Sequence, residues 1–334
     1  MAILVTGGAG YIGSIVVEQL LYQGQTVIVI DNLQEGNRAA VLAEAIFYEG
    51  DFGSRELLET LFNKHKIEAV LHFAAETTIE FSMTDPAKYL LNNVVNGITL
   101  LEIMRKQGCN RFIFSSTAAT FGEPNYTPID EKHGQIPINA YGESKLMFEK
   151  ILGWYYRAYG LKYNLFRYFN AAGASAKLGE DHKHESHLIP MIIHSVLNKS
   201  DSGNSKKLRI FGNDYATKDG TCVRDYIHVI DLAMAHILAL ENLDRKPSGK
   251  YNLGNGKGFT NLEVVQMVEK VSGMTVNYEF ATRRPGDPAV LIASSQLAKV
   301  ELVWKPKFPD LEDIVSSACE WHRRHPKGYG EWER

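Results

Sequence analysis

The opening of the chain limits its possible folds more than any other segment. The β-branched run Ile3 to Thr6 passes without a spacer into Gly7-Gly8-Ala9-Gly10-Tyr11-Ile12-Gly13, and the helical pattern Ser14 to Tyr22 follows at once. A strand that turns on glycines directly into a helix belongs to an α/β unit, because the helix carries the chain back for the next parallel strand. Gly7 suits the tight turn, Gly10 admits a pyrophosphate close to the backbone, and Gly13 lets helix and strand approach. The first helical turn, with Tyr11 and Ile12, offers unpaired N–H donors to an anion. Glycine-rich turns also serve purely structural ends, and it is the strand-turn-helix context that marks this one as a dinucleotide site.

Three further segments extend the reading. Thr26 to Ile30 reads as the second strand, and Asp31 lies 18 residues beyond Gly13, close to the ~20 expected for an acid that binds the adenosine ribose. Asn32 follows it, so no adjacent arginine would offset a 2′-phosphate, and NAD is expected over NADP. Asp51 suits either an adenine contact or a loop carboxylate. The strand Ala69 to Phe73 ends in His72-Phe73-Ala74-Ala75, where small residues at Ala74 and Ala75 let the backbone approach a cofactor or simply pack closely. Asn93 either fixes a loop or bonds near a nicotinamide. His72 is read as structural.

Arg111 to Ser115 and Lys162 to Phe169 read as further buried strands, and Leu91 to Lys106 and Ala140 to Tyr159 as helices ending near Gly108 and Gly160. The expected fold is a Rossmann-type doubly wound parallel sheet with a smaller C-terminal α/β lobe. With 334 residues the chain exceeds the size at which one core usually stops growing. Residues 1–170 are expected to form mainly the cofactor domain and 171–334 mainly the substrate domain, with part of 223–260 returning to the first. In the second lobe a polar, His-rich loop from Glu180 to His187 precedes the helix Leu188 to Leu197, and Asp201 to Lys207 is a polar spacer.

Charge and cysteine content narrow the function classes. A net charge of -3 offers no general attraction for nucleic acid or an anionic membrane, so neither is an expected partner. Cys109, Cys222 and Cys319 are widely spaced without a CxxC pair, which predicts no disulfide framework and no metal site, and suits a reducing cytoplasm. The amino terminus has no basic leader, and no apolar run reaches membrane-spanning length.

The reactive group is Tyr141-Gly142-Glu143-Ser144-Lys145, whose i,i+4 spacing puts Tyr141 and Lys145 on one helix face. A lysine cation beside the phenol predicts a tyrosine base below its ordinary pKa, with an oxidised nicotinamide adding to the effect. Ser115-Ser116-Thr117 follows a strand at the sheet's carboxyl edge, where Thr117 can bridge a sugar hydroxyl and the tyrosine oxygen.

These pieces, with RYFNAAGA at Arg167 to Ala174, HLIP at His187 to Pro190, IFGNDYATKDGTCVRDYIHV at Ile210 to Val229 and RRPGDPA at Arg283 to Ala289, resemble the UDP-galactose/UDP-glucose 4-epimerase family over nearly the whole chain. The resemblance implies that Thr117 and Tyr141 are catalytic and that Lys145 binds the nicotinamide ribose and activates Tyr141. It places Ser115 and Tyr168 with the cofactor. Asn170, His187, Leu188, Arg224, Arg284 and Asp287 fall with the UDP-sugar, and Leu291 beside the sugar's C2 substituent. It also implies a homodimer. The reaction would be inversion at C4 through a transient ketone, most simply UDP-glucose to and from UDP-galactose; UDP-glucuronate and UDP-N-acetylhexosamines remain alternatives, as does a catalytically silent NAD-sensing protein. Ala118-Ala119 stand where related dehydratases carry an Asp-Glu pair, which disfavours water elimination, and Ile15 and Phe81 depart from the histidine and glutamate of many close epimerases.

Overall fold

The computed structural model describes residues 2–197, 207–284 and 287–330. Most of the polar spacer, 201–206, and Pro285-Gly286 of the RRPGDPA segment lie outside the described residues. Its strands are β1 (Ala2–Thr6), β2 (Thr26–Asp31), β3 (Ile46–Glu49), β4 (Ile67–His72), β5 (Arg111–Thr117), β6 (Lys162–Tyr168), β7 (Asn170–Ala172), β8 (Leu208–Phe211), β9 (Val223–His228), β10 (Ser248–Leu253), β11 (Gly258–Thr260), β12 (Tyr278–Ala281) and β13 (Val290–Leu291). The helices are α1 (Tyr11–Tyr22), α2 (Arg55–Lys64), α3 (Ile79–Thr84), α4 (Pro86–Leu90), α5 (Gly97–Lys106), α6 (Ala140–Tyr159), α7 (Leu188–Leu197), α8 (Val229–Asn242), α9 (Asn261–Ser272), α10 (Gln296–Glu301) and α11 (Leu311–Arg324).

Seven strands form one parallel sheet in the order β10-β6-β5-β4-β1-β2-β3. All five residues of β1 are buried, because helices cover both faces and leave no solvent side for polar alternation. Ile3 and Val5 pack toward α1 and α8, while Leu4 packs toward α2, α5 and α6. A third core joins Ile192 and Ile193 of α7, Val264 and Val268 of α9, and Ile314 and Val315 of α11. Within 223–260, α8 packs on α1 and β10 completes the large sheet, whereas β9 and β11 pair in a smaller sheet with β13 and β7. The chain therefore crosses between lobes more than once. Among the described residues no helix is long and apolar enough to cross a membrane.

Several element ends fall one to three residues from the expectation, and two boundaries have a visible cause. The strand read to Phe73 ends at His72, since the N–H groups of Phe73 and Ala74 both converge on Thr6 O, at 3.0 and 3.1 Å, and end the ladder. The helix read as Leu91 to Lys106 opens with a wider π turn over Leu91–Asn96 before α5 begins. That turn accompanies the burial of Asn93, whose bonding is described below, a polar constraint that apolar periodicity does not record.

Candidate active site

The site is built where the carboxyl ends of β1, β2, β4 and β5 meet the first turns of α1 and α6, the usual crevice for a ligand in an open α/β sheet. Gly7 takes φ +73 and a Cβ there would lie 2.5 Å from Ala74 N, so the glycine turn and the Phe73-Ala74-Ala75 segment are in direct contact. A Cβ on Gly13 would lie 2.1 Å from Gly7 O. No side chain caps the start of α1 at Gly10, and its first turn carries no acid, which leaves an N-terminal field suited to phosphates. The Tyr11 hydroxyl turns away and donates to Gly173 O at 2.6 Å, tying the glycine turn to the segment after β7.

Asp31 closes β2 and accepts from Ala9 N at 3.0 Å and Leu33 N at 2.9 Å. A carboxylate has about four lone-pair sites, so capacity remains for ribose hydroxyls. Burial pushes its pKa up, against the two N–H bonds. These features fit a dinucleotide. Asn32 is exposed and accepts from Gln34 N at 3.1 Å; Asp51 is exposed and accepts from Gly53 N at 2.6 Å, the bond of a loop carboxylate. Asn93 Oδ1 accepts from Glu76 N at 2.8 Å while Nδ2 donates to Glu76 O and Ser144 Oγ, both at 3.0 Å, so its amide is bonded as a loop brace. His72 is buried and bonds Thr6 Oγ1 at 2.6 Å, and burial lowers its pKa to about 3, so it stays neutral.

Asn139 caps α6 by accepting from Gly142 N at 2.8 Å, which sets Tyr141 in the first turn. A Cβ on Gly142 would lie 2.5 Å from Ala119 O; glycine there lets α6 close onto the turn after Thr117. Tyr141 is half-buried, and Thr117 Oγ1, in the turn that α6 closes onto, accepts from Ala119 N at 3.1 Å. Lys145 is buried, donates to Ser115 O at 2.9 Å, and its Nζ sits 4.9 Å from the Phe114 ring centre and 6.0 Å from that of Tyr141. Tyr168 and Ser115 share a hydrogen bond beside it.

The electrostatics correct one expectation. The Tyr141 phenol is pushed above its ordinary pKa by burial, with the Thr117 hydroxyl pulling the other way, whereas a lowered value was expected. Lys145 itself falls to about 7, because desolvation outweighs the attraction of Glu149. The protein's own charges do not create the phenolate.

Sequence reasoning missed what lies beneath Thr117. Ser116 donates to Glu149 at 2.5 Å, and Glu149 pairs with Arg167 at 2.6 Å, both nearly inaccessible. Glu149 lies four residues past Lys145 on α6, so helical spacing was an available signal.

A second, small cleft of about 70 Å³ opens between α7 and β8 and brings Leu188, Arg284 and Asp287 together. Arg209, Phe211, Met191 and Asn261 line it as well and were not singled out; Ile210-Phe211 opens a motif already noted. The Arg284 guanidinium lies 4.0 Å over the Phe211 ring, and Arg224 forms an ion pair with Asp287. Leu291 is half-buried and pairs in register with Arg224 through β13 and β9, and Asn170 donates to Asp225 O at 2.9 Å. His187 is turned onto Glu180 and Glu185, at 2.8 and 3.1 Å.

The glycine turn, the Thr117, Tyr141 and Lys145 group and the parallel sheet define a nucleotide-dependent enzyme of the extended short-chain dehydrogenase type. The model of the NAD dependent epimerase/dehydratase family matches residues 3–254, and the chain belongs to that family. It is 51% identical over 332 residues to the UDP-glucose 4-epimerase of Halalkalibacterium halodurans, covering 98% of each chain. A crystal structure of a UDP-glucose 4-epimerase superposes with TM-score 0.94 at 46% identity, covering 100% of both chains. That of the Brucella ovis UDP-glucose 4-epimerase in complex with NAD gives TM-score 0.90 at 42% identity, covering 96% of this chain and 97% of the other.

Proposed function

We propose that this chain is an NAD-dependent UDP-hexose 4-epimerase that interconverts UDP-glucose and UDP-galactose. The observation that carries this reading is Tyr141 in the first turn of α6, closed onto the turn after Thr117 and with buried Lys145 Nζ 6.0 Å from its ring centre, at the sheet edge that also bears the glycine turn. NAD, held by Gly7 to Gly13 and Asp31, supplies the hydride acceptor and donor. Ser115, Tyr168, Phe73, Ala74 and Ala75 would line its binding site, Asn32 and Asp51 would hold its adenosine end, and Asn93 would act through the loop it braces. Tyr141 Oη takes the proton of the sugar's C4 hydroxyl and later returns it, and Thr117 bridges the two oxygens. Because Tyr141 alone titrates high, phenolate formation depends on positive charge arriving with the bound cofactor. Arg284 and Arg224 counter the diphosphate, with Asp287 and Leu188 beside the nucleoside, so that the anchor stays held while the 4-keto sugar presents its other face. Asn170 and Leu291 shape the sugar end. Ala118-Ala119 offer no proton-transfer groups, which supports epimerisation over dehydration.

The reading extends to a cytoplasmic homodimer. Three buried, unpaired cysteines suit a reducing compartment. Leu91 and Val95 in the π turn and Met147 and Trp154 on the contacting α6 are exposed large apolar residues, the surface a second copy would cover. Sedimentation velocity tests the dimer. Purified protein should convert UDP-glucose to UDP-galactose, followed by NMR without added NAD; bound NAD with no turnover across a panel including UDP-glucuronate and UDP-N-acetylhexosamines would refute the enzyme reading.

A further inference from the structure

Outside the active site, the loop before α7 gathers four metal-ligating side chains in the pattern Glu180-x-His182-x-x-Glu185-x-His187. One donor atom from each lies within 4.8 Å of all the others. The nitrogen-to-oxygen separations are 3.3 and 3.4 Å from His182 Nδ1 to Glu180 and Glu185, and 2.8 and 3.1 Å from His187 Nδ1 to the same two carboxylates. Donors about 2.0 Å from a tetrahedral zinc stand ~3.3 Å apart; the four nitrogen-to-oxygen separations lie near that spacing, and the remaining two pairs lie within 4.8 Å. We propose that Glu180, His182, Glu185 and His187 bind one divalent transition-metal cation, zinc by donor chemistry, and that the ion clamps this loop between the glycine turn and the nucleotide cleft.

A second observation separates this arrangement from an ordinary carboxylate–imidazole cluster. Glu180 is 5% exposed, and its Oε1 accepts no well-directed hydrogen bond although two ring nitrogens lie within 3.3 Å. Both ring nitrogens hydrogen-bond Glu185, His182 Nδ1 at 3.4 Å and His187 Nδ1 at 3.1 Å, so Glu180 Oε1 is the buried donor atom of the group left without a directed partner. Two imidazole nitrogens with two carboxylate oxygens suit zinc and its neighbours and not magnesium or calcium, which prefer all-oxygen shells. The two carboxylates also balance the charge of a dication.

The surroundings hold the donors in place. Asp181 faces away and accepts from Tyr329 N at 2.9 Å, and Glu185 Oε1 accepts from Ser186 N and His187 N at 2.8 and 2.7 Å. Such outer bonds orient ligands before the metal arrives. The position links both ligand sites: the His182 ring meets the Tyr11 ring edge-on at 6.2 Å, while Ser186 and Leu188 line the nucleotide cleft. No cysteine takes part, which is why cysteine spacing predicted no metal.

The test uses tag-free, full-length protein with its NAD, equilibrated with zinc and then gel-filtered. Metal analysis should find one zinc per chain, cobalt replacement should give the visible bands of a four-coordinate site, and a chelator should lower the melting temperature. His187→Ala, at a half-exposed side chain, and Glu185→Gln should each lose the zinc and the chelator response. Parent protein that holds no stoichiometric zinc and melts alike with and without it, or zinc retained in full by both variants, would overturn the proposal.

Discussion

Replacing Gly13 by alanine should detach the cofactor while leaving the rest of the chain folded. The new Cβ would stand 2.1 Å from Gly7 O, 2.9 Å from Gly7 C and 3.1 Å from Gly8 Cα, where ordinary contact begins at 3.4 Å. Backbone lies on both sides of the clash, and Gly7 is held by its own N–H to Ile30 O at 2.9 Å, so α1 must retreat. The shortfall, 3.4 − 2.1 = 1.3 Å, sets the scale of that movement. A phosphate oxygen normally ~2.9 Å from a helix N–H would then be about 4 Å away, beyond hydrogen bonding. Losing two charge-assisted bonds at about 1.5–3 kcal/mol each weakens NAD binding by roughly 10²- to 10⁴-fold. NAD content after purification and titration calorimetry measure the loss, with circular dichroism to verify the fold. Gly134→Ala is the control, because its Cβ would meet nothing within 4 Å and it lies outside the glycine turn, so NAD binding should be unchanged. A Gly13→Ala protein carrying one NAD per chain, with affinity within about threefold of the parent, would refute this account of the turn.

Tyr141→Phe should keep its NAD and lose epimerisation by about 10²- to 10⁴-fold, the usual contribution of a positioned acid/base; unchanged turnover would remove Tyr141 from proton transfer. Lys145 gives a pH test: with its folded pKa lowered to about 7, the unfolded chain holds more of this proton from there up to 10.5, so stability must rise with pH across that window. In NAD-stripped protein, urea unfolding at increasing pH should show that rise, at most about 1.4 kcal/mol per pH unit, and Lys145→Met should flatten it; parallel profiles would contradict the buried ammonium. Leu291→Gly should shift relative kcat/KM toward UDP-N-acetylhexosamines by opening room beside C2, and an unchanged ratio would show that Leu291 does not gate that position.

The sequence by itself determined the features whose chemistry is local. Gly7 to Gly13, Asp31 and the Tyr141/Lys145 spacing were legible because a tight turn, a strand end and one helix face are each set by neighbours in the chain. Tertiary structure alone decided which distant side chains share a pocket and what charge they carry there. Lys145 and Tyr141 are neighbours on α6, yet burial under β5 lowers the lysine and raises the phenol, reversing the simple expectation from charge proximity. Phe211 and Arg284 meet only because the second lobe folds β8 against the segment before β13, and β10 joins the large sheet only after the chain has built part of the small one. Desolvation and long-range contact depend on what packs around a residue, and no window along the chain contains that information.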